Sequence, residues 1–140
     1  MRKSLSLVTA LGAALLAGNL AMMPAAVAGD SLPTDKQCKD LKDPDAATQG
    51  WCTMINRKKG NCLACHDVVT KRFPADLPAA GNIAPPLVSM KTRFPDKAKL
   101  RAQIWDATVA NPNTSMIPFG RHKVISDKDI DNIVEFLYTL

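Results

Sequence analysis

Cys62-Leu63-Ala64-Cys65-His66 is the stretch that decides how this chain is read. Two thiols three positions apart, followed at once by an imidazole, form the C-x-x-C-H attachment pattern of a c-type haem. Each thiol can form a thioether to a vinyl group of the porphyrin, and the adjacent imidazole can then ligate the iron. The spacing predicts Cys62 and Cys65 as the covalent anchors of one haem c and His66 as an axial ligand.

Such attachment takes place outside the bacterial cytoplasm, and the N-terminus fits that route. Met1-Arg2-Lys3 is basic, Leu5 to Ala17 is apolar, and Ala26-Val27-Ala28 is an A-x-A cleavage site preceded by Pro24. These features predict a secretory signal peptide over residues 1–28 and a periplasmic mature chain over 29–140. Gly18 and Asn19 interrupt the apolar run before it reaches the ~20 residues of a spanning helix, so no membrane span is expected after cleavage. The mature length allows one small domain. With seven aromatic residues in the chain, the core is modest, and a haem would add apolar mass to it. The net charge of +5 includes Arg2 and Lys3 of the leader. The remaining basic residues are dispersed and not interleaved with aromatics, which argues against nucleic acid as a partner.

The periodicity predicts an all-α, class I cytochrome c-like fold, with three to four helices and long loops wrapped around one haem. Residues 29–44 read as an irregular N-terminal extension. Residues 45–59 read as a helix ended by Gly60. Five prolines and glycines between Asp67 and Arg93 rule out regular structure throughout that stretch. Residues 95–110 read as a second helix, capped by Asp96 and stopped by Asn111-Pro112. The last helix follows Ser126-Asp127-Lys128-Asp129, a capping-box pattern with Asp in the place of Glu. Ile130, Ile133, Val134 and Leu137 then recur on one face. No β pattern stands out.

A six-coordinate iron needs a second ligand, and the mature chain offers Met54, Met90, Met116 and His122. Met116 is favoured, because Pro118 and Gly120 fix its loop and 50 residues separate it from His66. Met54 at helical spacing reads as a core side chain. Met90 remains a second choice, and His122, between Arg121 and Lys123, reads as exposed. Met/His ligation raises the reduction potential relative to two histidines and fills both axial positions, which favours electron transfer over ligand chemistry. On the histidine side, a carbonyl of Ala84-Pro85-Pro86-Leu87 can accept the second imidazole N–H. Pro85 fixes that backbone, and Leu87 can pack on the porphyrin.

Cys38 and Cys52 lie outside the motif. In an oxidising compartment an even pair reads as a disulfide, and a loop of about 15 residues corresponds to ~3 kcal/mol in the chain-entropy model. A reactive thiol carrying a sulfur substrate is the sharper alternative. Zinc is disfavoured, because the spacing lacks the short ligand separation of a structural site.

Three blocks taken together resemble the SoxX family, the mono-haem cytochrome subunits of the SoxAX thiosulfate-oxidising complexes. They are Gly60-Asn61-Cys62-Leu63-Ala64-Cys65-His66, Gly81-Asn82-Ile83-Ala84-Pro85-Pro86-Leu87 and Met116-Ile117-Pro118-Phe119-Gly120. Ala84 stands where that family has Gly, and Ile117 where a second Pro is usual. The resemblance implies a heterodimer with a SoxA-like cytochrome, where thiosulfate is coupled oxidatively to a cysteine of a SoxYZ-like carrier protein. It implies that Cys62 and Cys65 anchor the haem, that His66 and Met116 ligate it, and that no residue of this chain performs the sulfur chemistry. Electrons would pass from the partner through this haem to a soluble cytochrome. The polar segment 29–59 is longer than a minimal cytochrome needs and suits a partner interface. A free periplasmic carrier with no thiosulfate-processing partner is the competing reading. A peroxidase or ligand sensor would need an open iron.

Overall fold

The computed structural model describes residues 31–140, so the expected signal peptide lies outside the described residues. Among these residues five α-helices follow in order: α1 (Asp35–Asp40), α2 (Ala46–Ile55), α3 (Met90–Arg93), α4 (Lys97–Trp105) and α5 (Asp127–Leu137). Short 3-10 turns cover Cys62–Ala64 and Ala107–Val109. Among the described residues the only extended pairing is an isolated parallel bridge between Val68 and Leu87.

The core forms where α2 meets α5. A Cβ added to Gly50 would lie 2.0 Å from the backbone oxygen of Asn132, so only a residue without a side chain allows this approach. The contact brings Trp51 and Phe136 together, both within 2% of full burial, with ring centroids 5.2 Å apart. Phe73 meets the same indole edge-on at 5.9 Å. Burying each such ring stabilises the fold by roughly 1.5–3 kcal/mol. The indole N–H is not left unpaired, because it donates to the Pro33 carbonyl at 2.7 Å. Two polar contacts fix the register of the crossing. The buried Asn132 amide donates to the Gln49 side chain at 3.0 Å, and the Thr53 hydroxyl donates to Asp129 at 3.2 Å.

The terminal helix starts as the capping pattern predicts. Ser126 Oγ accepts from the Asp129 N–H at 3.0 Å, and Asp129 accepts in return from the Ser126 N–H at 3.3 Å. Its apolar stripe (Ile130, Ile133, Val134, Leu137) is buried, together with Phe136. On its outer side α4 is tied down by exposed ion pairs: Lys97 with Glu135 at 2.7 Å, and Arg101 with Asp131 at 2.6 Å and with Asp127 at 2.9 Å. Pairs this exposed contribute about 0.2–1 kcal/mol each, so Leu100 and Ile104, both buried, are the stronger hold on α4.

Three expectations need correction. Residues 29–44 are not irregular throughout, because α1 forms there behind a capping box in which Thr34 and Gln37 bond reciprocally. That helix buries none of its residues, so no apolar stripe announces it. The helix expected over 45–59 stops at Ile55, and Asn56 in extended backbone ends it rather than Gly60. The helix expected over 95–110 begins on its Asp96 cap but breaks after Trp105. Asp106 there accepts from the Thr108 N–H and starts a separate 3-10 turn.

Candidate functional site

The segment after α2 turns sharply at Asn61, a left-handed residue with φ 47°. One 3-10 turn follows. The N–H groups of Cys65 and His66 both donate to the Cys62 carbonyl, at 3.2 and 2.9 Å. This turn sets the two cysteines at its start and end and delivers the imidazole directly after them. Both cysteines are free thiols, Cys65 exposed and Cys62 partly covered. Burial, with a smaller push from neighbouring Cys65, raises the Cys62 thiol to about 12. At neutral pH it is therefore a thiol and not a thiolate.

The Pro-rich segment closes over this turn from one side. Gly81 N–H donates to the Leu63 carbonyl at 2.8 Å and Ala84 N–H to the Cys65 carbonyl at 3.0 Å. Leu87 donates to Asp67 at 2.8 Å and accepts from Val69 at 3.1 Å, the bonds of the isolated bridge. In this clasp the Pro85 carbonyl lies 2.7 Å from His66 Nδ1. A carbonyl can only accept, so Nδ1 carries the proton and Nε2 keeps the lone pair that a metal needs.

The turn and the clasp border a cavity of about 630 Å³, within the usual range for cofactor sites. Cys62, Cys65, His66, Pro85 and Leu87 line it, as does Met116. Buried Leu100, Ile104, Ile133 and Leu137 supply an apolar wall from α4 and α5. Polar lining comes from Arg93, Gln103, Asn111, Thr114 and Ser115. An apolar slot with a polar side, two thiols, an imidazole with a free Nε2 and a thioether fits an amphiphilic iron porphyrin bearing carboxylates.

The four distal candidates separate. Met116 lines the cavity and is held in a loop by its own N–H, which donates to Thr114 Oγ1 at 3.1 Å. Met90 lines it too, but its sulfur accepts from Arg93 Nη1 at 3.6 Å and is already engaged. Met54 is buried in the α2–α5 core while touching the cavity. His122 is exposed and does not line the cavity. Cys38 and Cys52 are bonded to each other, which removes them as zinc ligands or a substrate-carrying thiol in this structure.

Sequence reasoning missed the polar lining. Arg93, Gln103, Asn111 and Ser115 are ordinary surface residue types in the sequence, and no spacing marks them. Arg93 is placed by a bond from its Nη1 to the Pro86 carbonyl at 2.7 Å, a contact that depends on the folded loop.

Residues 46–137 match the family model described as cytochrome c oxidase, cbb3-type, subunit III. The chain is 31% identical over 81 residues to an uncharacterized lipoprotein of Aquifex aeolicus (strain VF5), covering 58% of this chain and 37% of that protein. It therefore spans little more than a third of the length of that relative. The fold is similar to the crystal structure of SoxXA from P. pantotrophus, with a TM-score of 0.59 and 23% identity, over 79% of this chain and 89% of the other. The residues matched by the family model include the C-x-x-C-H turn, the Pro85 clasp and the Met116 loop.

Proposed function

The chain belongs to the cytochrome c family described as cytochrome c oxidase, cbb3-type, subunit III, and on that premise we propose that it is the electron-transfer subunit of a periplasmic SoxAX-like complex. Cys62 and Cys65 would hold one haem c covalently, and His66 and Met116 would ligate its iron. The bound haem supplies storage and release of a single electron. The residues of this chain do the rest. The Pro85 carbonyl fixes the imidazole tautomer, the Met116 thioether would be a second iron ligand, and the apolar wall from α4 and α5 would cover the porphyrin. The observation that carries this reading is the convergence of Cys62, Cys65, His66 and Met116 on one cavity.

A protein partner is supported by the rim. Ile83, 77% exposed, and Ile117, 50% exposed, both line the cavity and face solvent. The fold likeness to SoxXA and the three sequence blocks support a SoxA-like cytochrome as that partner. Thiosulfate would be coupled there to a carrier-protein cysteine, with a soluble cytochrome as the final acceptor. No helix among the described residues is long and apolar enough to cross a membrane. The signal-like pattern of residues 1–28 and the lipoprotein relative support an extracytoplasmic location.

Periplasmic expression tests this directly. The expected product has haem that survives denaturation and starts at Gly29. It is reduced by thiosulfate only when a SoxA-like partner is present. A haem protein that forms no complex and is never reduced in this way would be a free carrier. A protein without covalent haem would overturn the cytochrome reading itself.

A further inference from the structure

The Met116 loop has its base at one place, the end of α4. At the start of the loop, the Asn111 N–H donates to the Ala107 carbonyl at 3.0 Å. At the far end, the Gly120 and Arg121 N–H groups both donate to the Trp105 carbonyl, at 3.0 and 3.2 Å. Asp106 sits between these two backbone anchors. It is 4% exposed, and its Oδ2 pairs with Arg121 Nη1 at 3.0 Å. Its Oδ1 accepts from the Thr108 N–H at 3.0 Å and the Thr108 hydroxyl at 2.5 Å. The loop presses close here, since a Cβ on Gly120 would lie 1.9 Å from the Trp105 ring.

A buried carboxylate needs its partners more than an exposed one does. Lys97–Glu135 and Arg101–Asp131 join helix surfaces, and each partner there is more than a third exposed. The Asp106–Arg121 pair instead ties a buried charge on one stem to the other stem of the loop that carries the thioether. We propose that Asp106 and Arg121 are positioning residues for the distal ligand: their ion pair closes the base of the 107–120 loop and so holds Met116 against the iron. The proposal rests on Met116 as that ligand.

Opening of the loop exposes the iron's distal side, and an added ligand binds only the opened form. Its apparent affinity therefore reports the opened population. Imidazole is the probe, titrated into the oxidised haem-loaded protein. The methionine-to-iron charge-transfer band in the red is followed in parallel. Asp106→Asn and Arg121→Gln are each expected to tighten apparent imidazole binding by roughly tenfold. Amide exchange at Gly120 and Arg121 should speed up with it. Asp131→Asn, which removes a surface pair of α4 and α5, should leave both readouts unchanged. Arg121 is half-exposed, so its variant decides the matter if the Asp106 variant does not fold. A native protein without the methionine band would overturn Met116 as the ligand, and the anchoring with it. A native protein with that band, whose variants bind imidazole no more tightly, would overturn the anchoring alone. So would an equal change in the Asp131 variant.

Discussion

His66 Nδ1 and the Pro85 carbonyl oxygen lie 2.7 Å apart, so the ring is oriented by backbone and not by a side chain. No substitution removes that acceptor outright, but Pro85→Ala frees the backbone that presents it. A ring that donates less strongly is a poorer electron donor to ferric iron. The midpoint potential of Pro85→Ala should therefore rise by a few tens of millivolts, where ~59 mV is a tenfold change for one electron. Potentiometric titration of the native protein and the variant checks the sign.

Met116→Ala should leave the iron open on one face. The expected product is high-spin and binds carbon monoxide when reduced. Met90→Leu and Met54→Leu should keep the low-spin, methionine-ligated spectrum, because one sulfur is engaged by Arg93 and the other is packed in the core. Loss of the methionine band in Met90→Leu would move the ligand there.

Gly50→Ala tests the helix crossing. The added methyl would meet the Asn132 backbone at 2.0 Å, and neither helix can yield without unpacking Trp51 from Phe136. The expected cost is about 3 kcal/mol, the upper part of the usual range for overpacking, read as a lower urea midpoint. An unchanged midpoint would mean the crossing is looser than described.

Acid should weaken the α5 cap. Burial pulls the Asp129 carboxyl up, but the hydrogen bonds from Ser126 and Thr53 and the Lys59 ammonium outweigh it, and the group titrates below its usual value. Such a carboxyl adds stability above its unfolded pKa of about 3.9, and the contribution is lost as pH falls through the lower folded value. Asp129→Asn should thus lower stability at neutral pH and flatten its decline below about pH 4. Ser126→Ala should cost ~1 kcal/mol at neutral pH. Urea unfolding at several pH values distinguishes the two.

Reduction of the Cys38–Cys52 bond should release α1 more than it disturbs the site. That helix buries no residue of its own and is joined to α2 by the disulfide. A loss of ~3 kcal/mol is expected from a loop of this length, with the iron spectrum of the haem-loaded protein unchanged. A shifted spectrum in Cys38→Ser/Cys52→Ser would show that the extension reaches the iron.

Most of what could be read in the sequence depends on near neighbours. The C-x-x-C-H turn is short-range chemistry, and the α5 stripe and its Ser126–Asp129 cap are short-range geometry. Met116 stood out because Pro118 and Gly120 punctuate its loop. The four-residue α3 is too short to show a period, and α1 has no buried face to generate one. Its Thr34–Gln37 capping box was the one available signal. The bond from Asp106 to Arg121 joins positions whose proximity exists only after folding, so no local pattern could announce it.

The clasp across Val68 and Leu87 has one more consequence. The anchoring thiols, the ring and the ring's hydrogen-bond acceptor all lie between residues 62 and 87, bound to one another by their own backbone. The hydrogen-bonded setting of the imidazole is thus held by one short segment, and the α2–α5 crossing contributes no atom to it. The orientation of the imidazole can therefore survive changes in the α2–α5 crossing that leave residues 62–87 in place.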